Sequence, residues 1–505
     1  VVSEARALPQ TADASGWLAV AAGTIGALMA TLDTSIVSAS LPTIQGEIGA
    51  SGAEGTWITT AYLVAEIVMI PIAGWLSKIF GLRTFLLIVT VLFTAFSMMC
   101  GVSHDLNQMI IGRIGQGFTG GAMIPMALII VATRLPPSQQ PLGIALFGMT
   151  AVLGPVLGPV IGGWMTEHIS WHYAFFLNLP IGVGLVALLT VGLTGDRARW
   201  EMFAEADLFG LVGLALGLGG LTIVLEEGQR ELWFESELIR TLTVVSVVGF
   251  ALLAAGQFVS KTPVIQLRIL FQRAFGSVFL LSLAVGAVLY AVFYIIPQFL
   301  TRVHGYTAEQ SGDVIMISGI PTLAMLALFP LLVRILDLRV AVALGLGLFA
   351  LSSFLDVGLT PDTAGPEFMV SQLLRGFGQF FSLFFLNQAA TSAVAHEFAE
   401  DASGLFNAAR NLGGSIGLSA IGALQEQRTT FHTARLTEAV TANGILAQEA
   451  VARNGVGVLF QQIEGQAVVM TFADLYWVLG VAIVAMIPLV LLLKPLPKGA
   501  SLSLA

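Results

Sequence analysis

The chain has 505 residues, of which 56% are apolar and only 10% charged, against about 25% charged in soluble domains. That balance excludes a soluble globular fold and points to an all-α polytopic membrane protein; the net charge of −9 says little for a chain held mostly out of water. A single cysteine, Cys100, excludes an internal disulfide and a cysteine-based metal site. The histidines lack metal-ligand spacing and there is no Walker-type phosphate loop. Neither metal nor cofactor, nucleic-acid binding nor enzymatic activity is therefore expected.

Apolar runs of about twenty residues, the length that crosses a bilayer, fall at 17–41, 57–76, 84–102, 106–133, 143–165, 173–194, 207–225, 239–259, 275–300, 309–333, 338–357, 367–394, 402–424 and 471–494. These fourteen predicted spans divide the chain. Residues 1–16 form a polar tail without a cleavable signal, 17–194 a six-span bundle, and 195–274 a two-span insert with its loops. Residues 275–424 hold spans nine to thirteen, 425–470 an external loop, 471–494 the last span and 495–505 a second tail. With the N-terminus inside, inner segments hold thirteen Lys and Arg and outer loops six, and Lys78, Lys261, Lys494 and Lys498 all lie inside. The positive-inside rule then places both termini in the cytoplasm. The tryptophans fall near span ends, as interfacial anchors do.

Span one carries Asp33. An acid there costs about 2.5–3.5 kcal/mol on insertion scales unless it is paired, protonated or wetted. Span two carries Glu66 near its middle, and span four carries Arg113 roughly 10 Å deep at 1.5 Å per residue. The three meet at compatible depths inside the first bundle and are candidates for proton coupling. The competing reading for Asp33 and Arg113 is a fixed ion pair, and for Glu66 a polar contact between helices. Span five contains GPVLGPVIGG. Gly154, Gly158 and Gly162 share one helical face, Pro155 and Pro159 form the neighbouring stripe, and Gly163 closes the run. Small residues admit a close helix and prolines favour a bend, so a hinge or tight seal between halves is expected rather than a generic helix contact.

Ordered weak matches suggest a duplication. Lys78 and Arg83 align with Arg334 and Arg339 at an offset of 256, Arg113 with Arg375 at 262, and Leu146-Phe147 with Leu405-Phe406 at 259. Spans one to six would repeat as nine to fourteen, with the substrate path between the bundles. Candidates for its lining are Gln116, Tyr290, Phe293, Tyr294, Gln298, Arg375, Asn407, Arg410 and Asn411. The aromatics could equally be packing, and the arginines could bond carbonyls or attract an anion. No acid is expected within spans nine to thirteen to pair with Arg375 or Arg410. The 425–470 segment has two helix-like stretches around Asn443-Gly444 and reads either as a docking element or as a tolerated insertion.

LDTSIVSASLPTI (32–44), Arg113-x-x-Gln116-Gly117, GPVLGPVIGG (154–163) and WHYAFFLNLPIG (171–182) together resemble the major facilitator superfamily, in its fourteen-span drug:proton antiporter group of the EmrB/QacA type. The resemblance runs from about Trp17 to Lys494, and the long loop before the last span is closer to the EmrB branch. It implies two pseudo-two-fold-related six-helix bundles plus two inserted helices, in the bacterial inner membrane. By it, Asp33 and Arg113 match proton-coupling positions and Gly154–Gly163 the antiporter hinge. It also implies a cytoplasmic gate loop at Gly74, Lys78, Gly81 and Arg83, where Lys78 stands in place of the family's usual Asp. The expected function is proton-gradient-driven export of hydrophobic or amphipathic compounds, with a periplasmic membrane-fusion adaptor and an outer-membrane channel as implied partners. Dedicated export of one endogenous amphiphile such as a fatty acid or siderophore, and a non-transporting scaffold or receptor, are the alternatives.

Overall fold

The structure, a computed structural model, describes residues 13–195, 198–204, 206–260, 263–395, 398–440 and 445–494. Most of both predicted tails and the Asn443-Gly444 turn lie outside the described residues. Among those described there is no strand.

The first bundle consists of α1 (Ala14–Glu47), α2 (Trp57–Phe80), α3 (Leu82–Gly101), α4 (Leu106–Arg134), α5 (Gln140–His168) and α6 (Asn178–Gly192), with a short helix at His172–Phe176 leading into α6. The insert is α7 (Leu208–Glu227) and α8 (Glu237–Val259). The second half holds α9 (Arg273–His304), α10 (Ala308–Leu326), α11 (Leu338–Leu355), α12, α13 (Ala399–Ala439) and α14 (Ile445–Met486). Of these, α12 is composite: Met369–Gln379, a π turn at Phe380–Phe384, then Phe385–Ser392. Side chains cap several helix starts. The Asp105 carboxylate accepts from Gln108 N at 2.9 Å at the head of α4, and Asp207 from Gly210 N at 2.8 Å at the head of α7. Gly305, at φ +67°, ends α9 in the left-handed region that glycine tolerates.

Among the described residues, eleven helices are long and apolar enough to cross a membrane; α10 adds a twelfth if it is joined to Phe329–Ile335, from which it is bent by 68°. Fourteen predicted spans thus become eleven or twelve by length and composition. The shortfall lies in α12 and α13, which are helical but carry Gln372, Arg375, Gln379, Asn387 and Gln388, and Glu400, Asp401, Asn407 and Arg410. These polar groups point to the protein's interior, where most are buried.

The predicted loop 425–470 is not a separate element. Its helix-like stretches continue α13 and α14, of 41 and 42 residues, about twice what a bilayer needs. No proline interrupts either helix. They run side by side at the neck of the resulting hairpin, where Thr429 Oγ1 donates to Thr471 Oγ1 at 3.2 Å and Asp474 receives His432 at 2.8 Å.

The halves meet along two seams. One is α5 against α10; the other is α2 against α13. The inserted α7 packs on α2 and α13, covering the second seam.

Candidate functional site

Asp33 sits on α1 at the centre of a dry polar knot. Its Oδ2 is 2.5 Å from Arg113 Nη1, and its Oδ1 accepts from Gln116 Nε2 at 2.9 Å and Asn178 Nδ2 at 2.7 Å. Arg113 also donates from Nε to the Ile58 carbonyl at 3.0 Å and lies 4.2 Å over the Tyr62 ring. Asp33 is 1% exposed and Arg113 and Gln116 are fully buried. Such a pair survives burial best when its remaining lone pairs and protons are also bonded; here neighbouring helices bond both Asp33 oxygens and Arg113 Nε and Nη1, while Arg113 Nη2 has no hydrogen-bond partner. Cys100 Sγ closes one edge, 3.3 Å from Gln116 Oε1.

Glu66 is not in this knot. It lines a cavity of about 270 Å³ between the halves, together with Thr31, Thr34 and Ser35 of α1 and Tyr290, Phe293, Tyr294 and Arg410 from the other half. Asn411 Nδ2 reaches Glu66 Oε1 at 3.5 Å, and Tyr290 Oη reaches Asn411 Oδ1 at 3.4 Å. Arg410 is 5% exposed, and its Nη1 has no hydrogen-bond partner. The walls are otherwise apolar, among them Leu63, Ala151, Pro155 and Leu289. The site therefore offers an apolar body with one carboxylate and one guanidinium.

Of the predicted lining residues, Tyr290, Phe293, Tyr294 and Arg410 face this cavity, and Asn411 borders a smaller adjoining pocket. Gln116, Gln298, Asn407 and Arg375 do not line it. Gln116 is held in the Asp33 knot, and the fully buried Asn407 turns back to the Ser403 carbonyl at 2.9 Å. Arg375 pairs with Asp356 at the end of α11 and lies 5.3 Å from the Tyr476 ring. An acid was not expected there, although Asp356 falls within the 338–357 run; at the end of α11 it turns inward to Arg375. Arginine, acid and tyrosine thus recur in both halves, around Arg113 and Arg375.

The glycine face of α5 does not lie between the halves. It packs α5 on α1, within one bundle. A Cβ at Gly154 would stand 2.7 Å from Thr31 Oγ1, and one at Gly162 would stand 2.7 Å from the Ile36 carbonyl oxygen; Gly158 abuts Ser35. The prolines lie elsewhere: Pro155 lines the cavity and Pro159 approaches Gly312 of α10. Both prolines lie inside an unbroken α5.

At the end of the bundles expected to face the cytoplasm, Lys78 Nζ is 3.2 Å from Glu400 Oε2 across the α2–α13 seam. Gly74 lets Glu400 approach: a Cβ there would be 3.2 Å from that of Glu400. Gly81 makes the α2–α3 turn at φ +79°, and Arg83 Nη2 donates to the Thr190 carbonyl at 3.2 Å within its own half. Ser403 Oγ adds a hydrogen bond to the Pro125 carbonyl at 3.1 Å. The inner ends of the halves are closed on one another.

Sequence reasoning missed Asn178, Tyr62, Asp356 and Glu226. Asn178 and Asp356 carried a usable signal, a polar side chain inside or at the end of an apolar run. Tyr62 carried none, since an aromatic in a span is ordinarily packing.

Among known proteins, the Major Facilitator Superfamily family model matches residues 23–418. The chain is 31% identical over 481 residues to Colistin resistance protein EmrB of Acinetobacter baumannii, covering 92% of this chain and 94% of that protein. It is also 31% identical over 495 residues to Multidrug export protein EmrB of Escherichia coli K12, covering 94% of each. The fold resembles that of the human organic anion transporter MFSD10, with a TM-score of 0.60 over 93% of this chain and 99% of that one, at 13% identity. With the two-bundle architecture, the central cavity and the Asp33–Arg113 knot, these matches show that the chain is a multi-pass membrane protein that belongs to the Major Facilitator Superfamily, in its EmrB-type branch.

Proposed function

We propose that this protein exports hydrophobic or amphipathic compounds from the cytoplasm across the bacterial inner membrane, in exchange for protons, by alternating access between its two bundles. The proton gradient is its energy source and it uses no cofactor. The single observation that carries this reading is the cavity of about 270 Å³ shared by both halves, with apolar and aromatic walls and Glu66 set among them. Apolar walls with a few convergent polar groups suit an amphipath. A carboxylate in such a wall changes its protonation as the cavity passes from dry to wet, because burial and neighbouring charge both act on it. Relatives named for multidrug export and colistin resistance support the same reading.

In this scheme Glu66 exchanges protons with the cavity, and Asp33 with Arg113 ties α1 to α4 and carries the change in charge between α1, α2 and α4. The gate-loop residues Gly74, Lys78, Gly81 and Arg83 shape the cytoplasmic closure, and Gly154 to Gly163 hold α5 to α1 as the bundle moves. The projecting α13–α14 hairpin is the proposed dock for a periplasmic membrane-fusion adaptor leading to an outer-membrane channel.

Inverted vesicles with an imposed pH gradient test the reading. Asp33→Asn and Glu66→Gln are each expected to abolish gradient-driven uptake of lipophilic compounds. Wild-type rates in both variants would refute it.

A further inference from the structure

We propose that Glu226, carried into the transport cavity by the two-helix insert, is a specificity-determining carboxylate at which a proton and the cationic group of a substrate compete. The inference rests on the exporter reading and adds to it a residue, a substrate class and a role for the insert.

The end of α7 straddles the α2–α13 seam. Its two neighbouring acids point to opposite halves. Glu227 Oε1 accepts from Thr60 Oγ1 of α2 at 2.7 Å, and Arg230 Nη2 neutralises Glu227 at 2.7 Å. Glu226 Oε1 instead accepts from Ser415 Oγ of α13 at 2.6 Å. Glu226 and Glu66 face one another across a side pocket of about 30 Å³, which Thr222, Tyr290 and Asn411 also line. Glu66, Tyr290, Leu63 and Leu418 line both this pocket and the main cavity, so the two adjoin.

Charge then decides the chemistry. The titratable and charged groups facing the two pockets are Glu66 from α2, Glu226 from α7, Tyr290 and Tyr294 from α9 and Arg410 from α13. Glu66 and Arg410 balance. Among the described residues Glu226 has no ion-pair partner, because Arg230 is taken by Glu227 and Glu231. A half-buried carboxylate with no cation beside it, in a span, is an expensive charge that a cationic ligand would relieve. When a substrate's ammonium or phosphonium group enters, the proton leaves Glu226 for water and the carboxylate pairs with the cation, one for one. The Tyr290 ring at the same pocket offers a π face to that cation. The insert thereby does more than cover the seam: it adds the one negative charge that the two bundles do not supply themselves.

The test uses the full chain in lipid nanodiscs with two probes, tetraphenylphosphonium as a lipophilic cation and Nile red as a neutral lipophile. Binding is measured directly, and proton release in weak buffer. The wild type releases a proton on binding the cation and none on binding Nile red. Glu226→Gln loses that release and weakens cation binding about tenfold or more, while Nile red binding stays within about twofold. Ser415→Ala, which removes only the hydrogen bond, keeps the discrimination between probes. Should Glu226→Gln not fold, Ser415→Lys sets an ammonium beside the carboxylate and must reject the cation while retaining Nile red. Equal weakening of both probes, unchanged cation binding, or a Ser415→Ala variant that mimics Glu226→Gln would overturn the proposal. The exporter reading stands or falls separately, on gradient-driven export of the neutral compound by the Glu226→Gln protein.

Discussion

At the scale of single residues, the protein separates two kinds of buried acid. Asp33 is bonded on both oxygens by residues of α4 and α6 and lines neither pocket that holds Glu66. Glu66 holds one long contact, to Asn411, and faces open space. Asp33→Asn keeps a hydrogen-bonding side chain but leaves the Arg113 charge unpaired in a dry site, where breaking a buried pair costs about 3–5 kcal/mol. That variant is expected to melt earlier than the wild type and to transport nothing, whereas Glu66→Gln loses transport with its melting temperature nearly unchanged. A thermal-shift comparison in detergent checks the contrast, and equal melting of the two variants would contradict it. Asp33, Glu66 and Arg113 were legible in the sequence because a charge in an apolar run stands out against its neighbours. Which acid faced the cavity was not legible, since it depends on helix rotation. Gln116 and Arg375 were misplaced for the same reason: depth along a helix follows from counting residues, but direction does not.

At the scale of helices, span positions were read well and the character of some spans was not. The run at 106–133 became α4, Leu106–Arg134, because Asp105 caps it and apolar residues fill it. The run at 367–394 became a helix with a π turn, where Phe380, Phe384 and Phe385 pack edge-on against Phe329. Aromatic packing of that kind comes from tertiary contact and leaves no periodic mark. The GPVLGPVIGG motif was conspicuous, yet its glycines serve the contact within a bundle, while Gly148, outside the motif, receives the Phe384 ring from the other half. Gly162→Leu is expected to force α5 away from α1 and to cost at least about 1–3 kcal/mol, as overpacking does. Gly184→Ala, on α6 with open space where its Cβ would stand, is expected to be near neutral. Expression and melting temperature of the two variants provide the check; equal tolerance would mean that α1 and α5 do not pack as described.

At the scale of the whole molecule, the closed inner end rests on modest contacts. Lys78 and Glu400 are about a third and a quarter exposed, and pairs of that kind contribute about 0–1 kcal/mol. A weak clasp suits a gate that must open in every cycle. Lys78→Glu sets two like charges together and is expected to shift the protein toward a conformation open to the cytoplasm; Lys78→Glu with Glu400→Lys restores closure. Spin labels on Thr84→Cys and Val340→Cys, at the inner ends of α3 and α11, report the change as a longer distance in the single variant alone. The hairpin belongs at this scale too. Deleting 430–465 leaves Thr429 and Thr471 to join the shortened helices, so transport in vesicles is expected to persist while whole-cell resistance is lost. Equal loss in both assays would count against an adaptor. Apolar runs made an all-α polytopic chain legible, though eleven or twelve of the described helices, rather than fourteen, are long and apolar enough to cross a membrane. The helical continuation of α13 and α14 to 41 and 42 residues was not legible, because polar helical stretches in a connector do not reveal whether they join the helices beside them.

One buried sulfur has a practical consequence for all such measurements. Cys100 is the chain's only cysteine, fully buried and held against Gln116. A maleimide or nitroxide reagent added from water therefore finds no native target. Any thiol introduced at a gate, in the cavity or on the hairpin becomes the sole reactive site, and the unaltered protein serves as its own blank. The Asp33 knot, which is sealed against water, thus also leaves the rest of the molecule ready for labelling without removing a native residue.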